Sequence, residues 1–236
     1  MMMSRAVELS MGSVGEIPAG LLARVREVYE VGGGRDRAGR AEDLEAPDCV
    51  ESDARVRVWR APVVIIDGRS GSGKSSLAAA LLRHLRIAGI RNLQLTGPDQ
   101  WYPGWYGLAQ GTRTLVELLC GTPPLGHARP GNRGRDNRTF GYRVWDWERS
   151  QPGRYVLLDR ARPLLVEGAG SLCPATAAAA DLTIWVECDP EQRRRRAIER
   201  DGATYEPWWD VWAAQEDEHV SLHQPQRLAD VIVRSL

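Results

Sequence analysis

The one lysine among the 31 basic residues of this sequence is Lys74, and the residues around it are of a type and spacing that can hold phosphate. Gly68-Arg69-Ser70-Gly71-Ser72-Gly73-Lys74-Ser75 fits GxxxxGK[ST]. Glycines let successive backbone N–H groups converge on phosphate oxygens, and a helix beginning at the lysine adds the partial positive charge of its N-terminus. A compact ammonium fits inside such a loop, whereas a planar guanidinium is too wide. The arginine excess itself reflects coding bias. A lysine placed at random among the basic positions would fall here about once in 31 trials. The spacing assigns Lys74 to β- and γ-phosphates and the Ser75 hydroxyl to Mg²⁺, with residues Gly68 to Ser76 as the cradle.

A phosphate loop alone does not separate kinases from GTPases and ATPases, so the chemistry must be sought further along the chain. Asp99, in Thr96-Gly97-Pro98-Asp99-Gln100-Trp101-Tyr102, follows an apolar stretch where a carboxylate could orient an acceptor hydroxyl. An aspartate after proline also suits a turn or cap. Glu167 ends Leu164-Leu165-Val166-Glu167, placed either to hold Mg²⁺ through water or to contact an acceptor. In Arg193-Arg194-Arg195-Arg196-Ala197-Ile198-Glu199-Arg200-Asp201, helical spacing puts Arg193, Arg196 and Arg200 on one face, able to close over phosphates and stabilise transferring charge. Arg194 and Arg195 read as solvated. Nine tryptophans stand against one phenylalanine, and Trp101, Trp105, Trp145 and Trp147 flank two candidate acceptor segments. They are either core or aromatic walls for a flat substrate.

These residues need a scaffold, and the hydrophobic pattern supplies one. APVVIID before the loop is a buried parallel strand by composition, followed by a helix from Lys74 to Ala88. Further strands are expected at 93–97, 163–170, 182–188 and 229–234, with helices at Thr112–Cys120 and Pro190–Arg200. The alternation predicts an α/β fold, a doubly wound, mainly parallel five-stranded sheet with helices on both faces and ligands at the carboxyl ends of its strands. Residues 122–141 read as a Gly/Pro/Arg-rich loop. Residues 1–57 read as an N-terminal extension, one short helix over Gly20–Val31 and a linker at 32–54, ahead of a domain at 58–236.

Composition narrows the partners. With 31 acidic residues balancing the 31 basic ones, no overall field favours nucleic acid or an anionic membrane. No run approaches the ~20 apolar residues of a membrane span, and no signal-peptide pattern opens the chain, which predicts a cytoplasmic protein. Four cysteines without a CxxC pair suggest buried thiols rather than zinc ligands or disulfides.

Over residues 60–236 the order of motifs resembles the uridine kinase-like branch of the P-loop nucleoside and nucleotide kinases. GRSGSGKSS resembles that family's phosphate loop. Asp99-Gln100-Trp101-Tyr102 is similar to its Asp-x-Phe-Tyr segment, whose aspartate is the base, and Asp189-Pro190 through Arg200-Asp201 is similar to its lid helix. Tyr142-Arg143-Val144-Trp145-Asp146-Trp147 resembles, less specifically, a substrate-side Tyr-Asp segment. The resemblance implies a P-loop NTPase fold, ATP and Mg²⁺, and phosphoryl transfer to a small-molecule hydroxyl such as a nucleoside's. It assigns Asp99, Trp101, Tyr102, Tyr142, Arg143, Asp146 and Glu167 to the substrate side. The stretch 202–209 departs from the family pattern. A nucleotide kinase with a phosphate acceptor, served by Arg138 and Arg143, remains open, as does a non-catalytic nucleotide-binding regulator.

Overall fold

The computed structural model describes residues 6–13, 15–31, 59–121 and 139–235. The predicted linker at 32–54, Cys49, and residues 122–138 of the predicted loop lie outside them. Strand β2 (Val63–Asp67) shows why the sheet forms: all five residues are buried, as a strand covered on both faces requires. Successive side chains point to opposite faces. Val64 and Ile66 meet Leu77, Leu81 and Leu85 of helix α2 (Lys74–Ile87) and Leu21 and Val25 of α1 (Leu21–Val31). Val63 and Ile65 meet Leu115, Leu118 and Leu119 of α3 (Leu108–Cys120). The i, i+4, i+8 spacing of Leu77, Leu81 and Leu85 is one helix face, and each such buried leucine contributes ~1.5–3 kcal/mol of transfer free energy.

Four of the expected strands are found as β3 (Gln94–Thr96), β6 (Leu164–Glu167), β7 (Leu182–Cys188) and β8 (Val231–Ser235). With β2 they form parallel pairs, and a sixth strand, β1 (Val7–Met11), pairs parallel with β8 from Val7 opposite Val231 to Met11 opposite Ser235. The order is β1-β8-β7-β2-β6-β3. The five-strand expectation is thus corrected to six. The strand and α1, both inside the stretch read as an extension, belong to the main core through Met11, Leu21, Val25 and Tyr29, whose hydroxyl donates to the Leu164 carbonyl at 3.0 Å.

Two further corrections bear on the site. Strands β4 (Thr139–Asp146) and β5 (Gln151–Asp159) form an antiparallel hairpin where a loop and an acceptor segment were expected. A helix absent from the sequence reading, α6 (Trp209–His223), follows α5 (Pro190–Asp201), while α4 (Pro174–Ala179) and α7 (Pro225–Leu228) are short. Tyr102, Leu108, Ala197, Tyr205, Trp209 and Trp212 make a third, aromatic-rich core between α3, α5 and α6. The three described cysteines, Cys120, Cys173 and Cys188, are free thiols. No helix among the described residues is long and apolar enough to cross a membrane.

Candidate phosphate-binding site

Strand β2 lies at the switch of the sheet, with β6 on one side and β7 on the other, the position where ligands meet the carboxyl ends of parallel strands. The loop Gly68–Gly73 turns there into α2, whose first residue is Lys74 and whose N-cap is Gly73, left-handed at φ 100°. The first N–H groups of α2 have no partner within the helix and open on the loop. Gly71, at φ +78°, packs so closely on α5 that a Cβ would collide with the Arg193 carbonyl. A side chain there would displace the loop from its supporting helix.

Lys74 is buried, and its Nζ donates to the Arg69 carbonyl at 3.2 Å, lying back across its own loop. Ser75 donates to Glu167 Oε1 at 3.0 Å, so the two expected metal residues stand together. Among the described residues no group of three or more His, Cys, Asp or Glu side chains is placed to hold a metal. One hydroxyl beside one carboxylate fits a hard cation that takes most of its oxygens from phosphate and water.

Asp99 lies in the 3₁₀ turn Pro98–Gln100 after β3. The turn approaches β6 so tightly that a Cβ on Gly97 would overlap the Glu167 carbonyl. Asp99 keeps solvent contact within the cleft, yet surrounding protein desolvates its carboxyl enough to raise the pKa, against the pull of Lys74 and Arg200. Glu167 is likewise raised, first by desolvation, with Lys74 opposing and Asp99 adding. Lys74, Asp99, Glu167 and Arg200 therefore feel one another's charge in one cleft. This is a doubly wound, parallel α/β sheet with a glycine-rich loop at its switch point.

No family model matches the sequence, and no curated protein matches it. Among solved structures, the chain is similar to a possible uridine kinase from Bacillus stearothermophilus, with TM-score 0.45, 18% identity and coverage of 78% of this chain and 91% of that one. It is also similar to a candidate fructose transport system kinase from Silicibacter sp. TM1040, with TM-score 0.43, 17% identity and coverage of 72% and 88%.

The three arginines expected on one face of α5 divide. At about 100° per residue, Arg200 projects only ~20° from Arg193, while Arg196 lies ~60° to the side. Arg193 is buried and donates to the Ser70 carbonyl at 3.2 Å. Arg200 is exposed and paired bidentately with Asp201, at 2.9 and 2.6 Å. Arg196 meets the carboxyl ends of β7 and β8, donating to Cys188 Sγ, Ser235 Oγ and Gln192 Oε1 at 3.2, 3.1 and 3.0 Å. In this structure Arg196 is engaged by these groups rather than by the glycine loop. Arg194 and Arg195 are exposed, as expected.

The aromatic residues expected on the substrate side are found within the protein. Trp101, Tyr102 and Tyr142 are buried, and their polar atoms already have protein partners. Trp101 Nε1 donates to the Gly111 carbonyl at 3.0 Å, the Tyr102 hydroxyl donates to the Ala169 carbonyl, and the Tyr142 hydroxyl donates to Gln100 Oε1 while accepting from Thr96. They tie the acceptor turn and the hairpin to the sheet. Arg143 donates across the hairpin to the Gly153 carbonyl at 3.0 Å, and Asp146 accepts from the Arg149 backbone N–H and guanidinium, closing the hairpin turn. Both are thus engaged within the hairpin rather than with the phosphate loop. Trp105 stacks on Trp208 and Tyr205 and meets Trp147, which carries the hairpin to the rim of the third core.

Three polar residues that the sequence reading passed over lie under the loop. Asp67 is buried at the end of β2, accepting from the Gly68 and Leu172 N–H groups at 2.6 and 2.7 Å. Burial raises its pKa to about 7, against those two bonds and Lys74. His219 donates to the Leu172 carbonyl at 2.9 Å. Burial lowers its pKa, so it is the neutral ring, with its proton on Nε2, that makes this bond. Glu216, buried on α6, accepts from the Ser70 N–H at 2.7 Å. A helix carrying Trp209, Trp212, Glu216 and His219 on its buried side could have flagged the last two, since buried charge requires partners.

Proposed function

We propose that this chain transfers the γ-phosphoryl group of MgATP to a hydroxyl on a small molecule of the nucleoside kind. The observation that carries the reading is the shared cleft of Lys74, Asp99, Glu167 and Arg200 beside the glycine loop, with Lys74 acting on both carboxylates. Lys74 and the loop N–H groups bind and orient the phosphates. Asp99 accepts the proton of the acceptor hydroxyl, a task suited to a carboxylate whose pKa is raised toward the working pH. Arg200, released from Asp201, steadies negative charge on the transferring group, while Arg193 supports the loop from below. Ser75 and Glu167 would hold Mg²⁺, which neutralises phosphate charge when bound. Of the two arginines a phosphate acceptor would use, Arg143 is bonded within the hairpin, and Arg138 lies outside the described residues.

The test is ATP consumption by the full chain with a panel of nucleosides, nucleotides and sugars. Acceptor-dependent turnover is expected with a nucleoside or related alcohol, lost in Lys74→Ala, and reduced roughly 10²–10⁴-fold in kcat by Asp99→Asn at similar ATP affinity. Full turnover in Lys74→Ala, or ATP binding without turnover on any acceptor, would sink the proposal.

A further inference from the structure

The outer arm of the phosphate loop, Arg69-Ser70, is held from both sides by groups that never reach a phosphate. Glu216 Oε1 accepts from the Ser70 N–H at 2.7 Å, and its Oε2 accepts from Arg69 Nε at 3.2 Å. On the same residue, the Ser70 carbonyl accepts from Arg193 at 3.2 Å. Both backbone groups of Ser70 are therefore satisfied by side chains from two different helices, α6 and α5. Glu216 is itself fixed: Trp212 Nε1 donates to it at 3.2 Å and Arg193 lies 3.9 Å away. The side chain is 4% exposed, so its oxygens are satisfied by these donors rather than by water. Asp217, next along α6, takes the third arm of Arg69 at 2.6 Å from a largely exposed position.

From this geometry we propose that Glu216 is the positioning residue of the phosphate loop: it holds the Arg69-Ser70 arm in the form that receives nucleotide. The inference rests on the reading of the loop as a nucleotide site. A loop kept competent by an internal anion presents its N–H groups already ordered, and measured affinity falls by the fraction of molecules in which that order is lost. The preceding residue, Gln215, provides an internal control. It binds the Trp105 carbonyl at 2.7 Å and the Leu108 N–H at 3.3 Å, docking α6 on the acceptor side without touching the loop.

MgATP affinity of the full chain is measured by titration calorimetry for wild type, Glu216→Ala, Glu216→Gln, Gln215→Ala and Asp217→Ala, alongside hydrogen exchange of the peptide spanning 67–75 without nucleotide. Glu216→Ala should weaken MgATP roughly 10–100-fold, in keeping with a lost hydrogen bond to a charged group. Glu216→Gln, which keeps an acceptor for the Ser70 N–H, should recover part of that loss. Gln215→Ala and Asp217→Ala should stay within about threefold of wild type. Exchange over 67–75 should accelerate in the Glu216 variants alone. Wild-type affinity and exchange in Glu216→Gln, tighter MgATP binding in either Glu216 variant, or an equal loss in Gln215→Ala would overturn the inference. If Glu216→Ala does not fold, Glu216→Gln decides it. Should the wild type bind no MgATP, the functional reading fails, and exchange of the loop still tests the brace.

Discussion

Tyr142→Phe separates a buried scaffold residue from a substrate-contacting one. The substitution deletes one oxygen that joins Thr96 Oγ1, donating at 2.7 Å, to Gln100 Oε1, which accepts from the tyrosine. Of the two orphaned groups, Thr96 is 1% exposed and its hydroxyl finds no water easily, while Gln100 is half-buried. The phenylalanine ring keeps its packing against Trp101, centroids 4.5 Å apart, leaving polar satisfaction as the only loss. Leaving buried groups unsatisfied costs about 1–3 kcal/mol. In a chain of this size each kcal/mol lowers the Tm by about 2–4 °C, so a fall of roughly 2–12 °C is expected, and urea unfolding should show a lower midpoint at unchanged slope. Adding Thr96→Val completes a double-mutant cycle, with a coupling of roughly 1 kcal/mol expected from the direct bond. Acceptor KM should not change at temperatures where the variant is folded. A Tm within about 1 °C of wild type, together with collapse of acceptor-dependent turnover, would refute the reasoning and return Tyr142 to the substrate side.

The two arginines of α5 should part company: Arg200→Ala should lower kcat by roughly 10-fold or more with little effect on Tm, whereas Arg196→Ala should lower Tm and leave kinetics near wild type. Steady-state kinetics and thermal unfolding of both variants check this. Asp67 should impose a pH dependence on stability. Its folded pKa of about 7 lies above the ordinary 3.8, so its contribution is fully present below the lower value and is lost as pH rises through the upper one. The stability of wild type relative to Asp67→Asn should therefore fall between pH 4 and 7 by up to about 4 kcal/mol, three units at about 1.4 kcal/mol each. A gap between their denaturation curves that stays constant over this range would show that the carboxyl is not desolvated as described.

What the sequence disclosed and what it hid have physical reasons. Strand β2 and the loop were legible because a fully buried apolar run beside spaced glycines admits few structures. Strand β1 was not: only Met11 of its five residues is buried, and the pairing that makes it a strand comes from the far end of the chain. Helix α6 was hidden because its inner face carries Glu216 and His219 among tryptophans, which blurs the apolar stripe that marks a helix. The hairpin lacked a short Asn-Gly or Asp-Gly signal, since a longer link containing Ser150 at φ 49° makes the turn. The present partners of Arg196 were not legible because i, i+3 spacing places a side chain near a face without deciding which of two neighbouring surfaces it meets.

The pairing of Val7–Met11 with Val231–Ser235 has a consequence for biogenesis. Strand β1 forms one edge of the sheet, and its partner among the described residues, β8, lies far along the chain, so on the ribosome it must wait for that partner to be made. The sheet closes at that edge through a contact of very high sequence separation, which slows folding. A version of the protein cut to begin at residue 58 would lack that cover and present the bare N–H and C=O groups of β8 to neighbouring molecules. Such a fragment would retain every residue of the phosphate loop and still be prone to self-association.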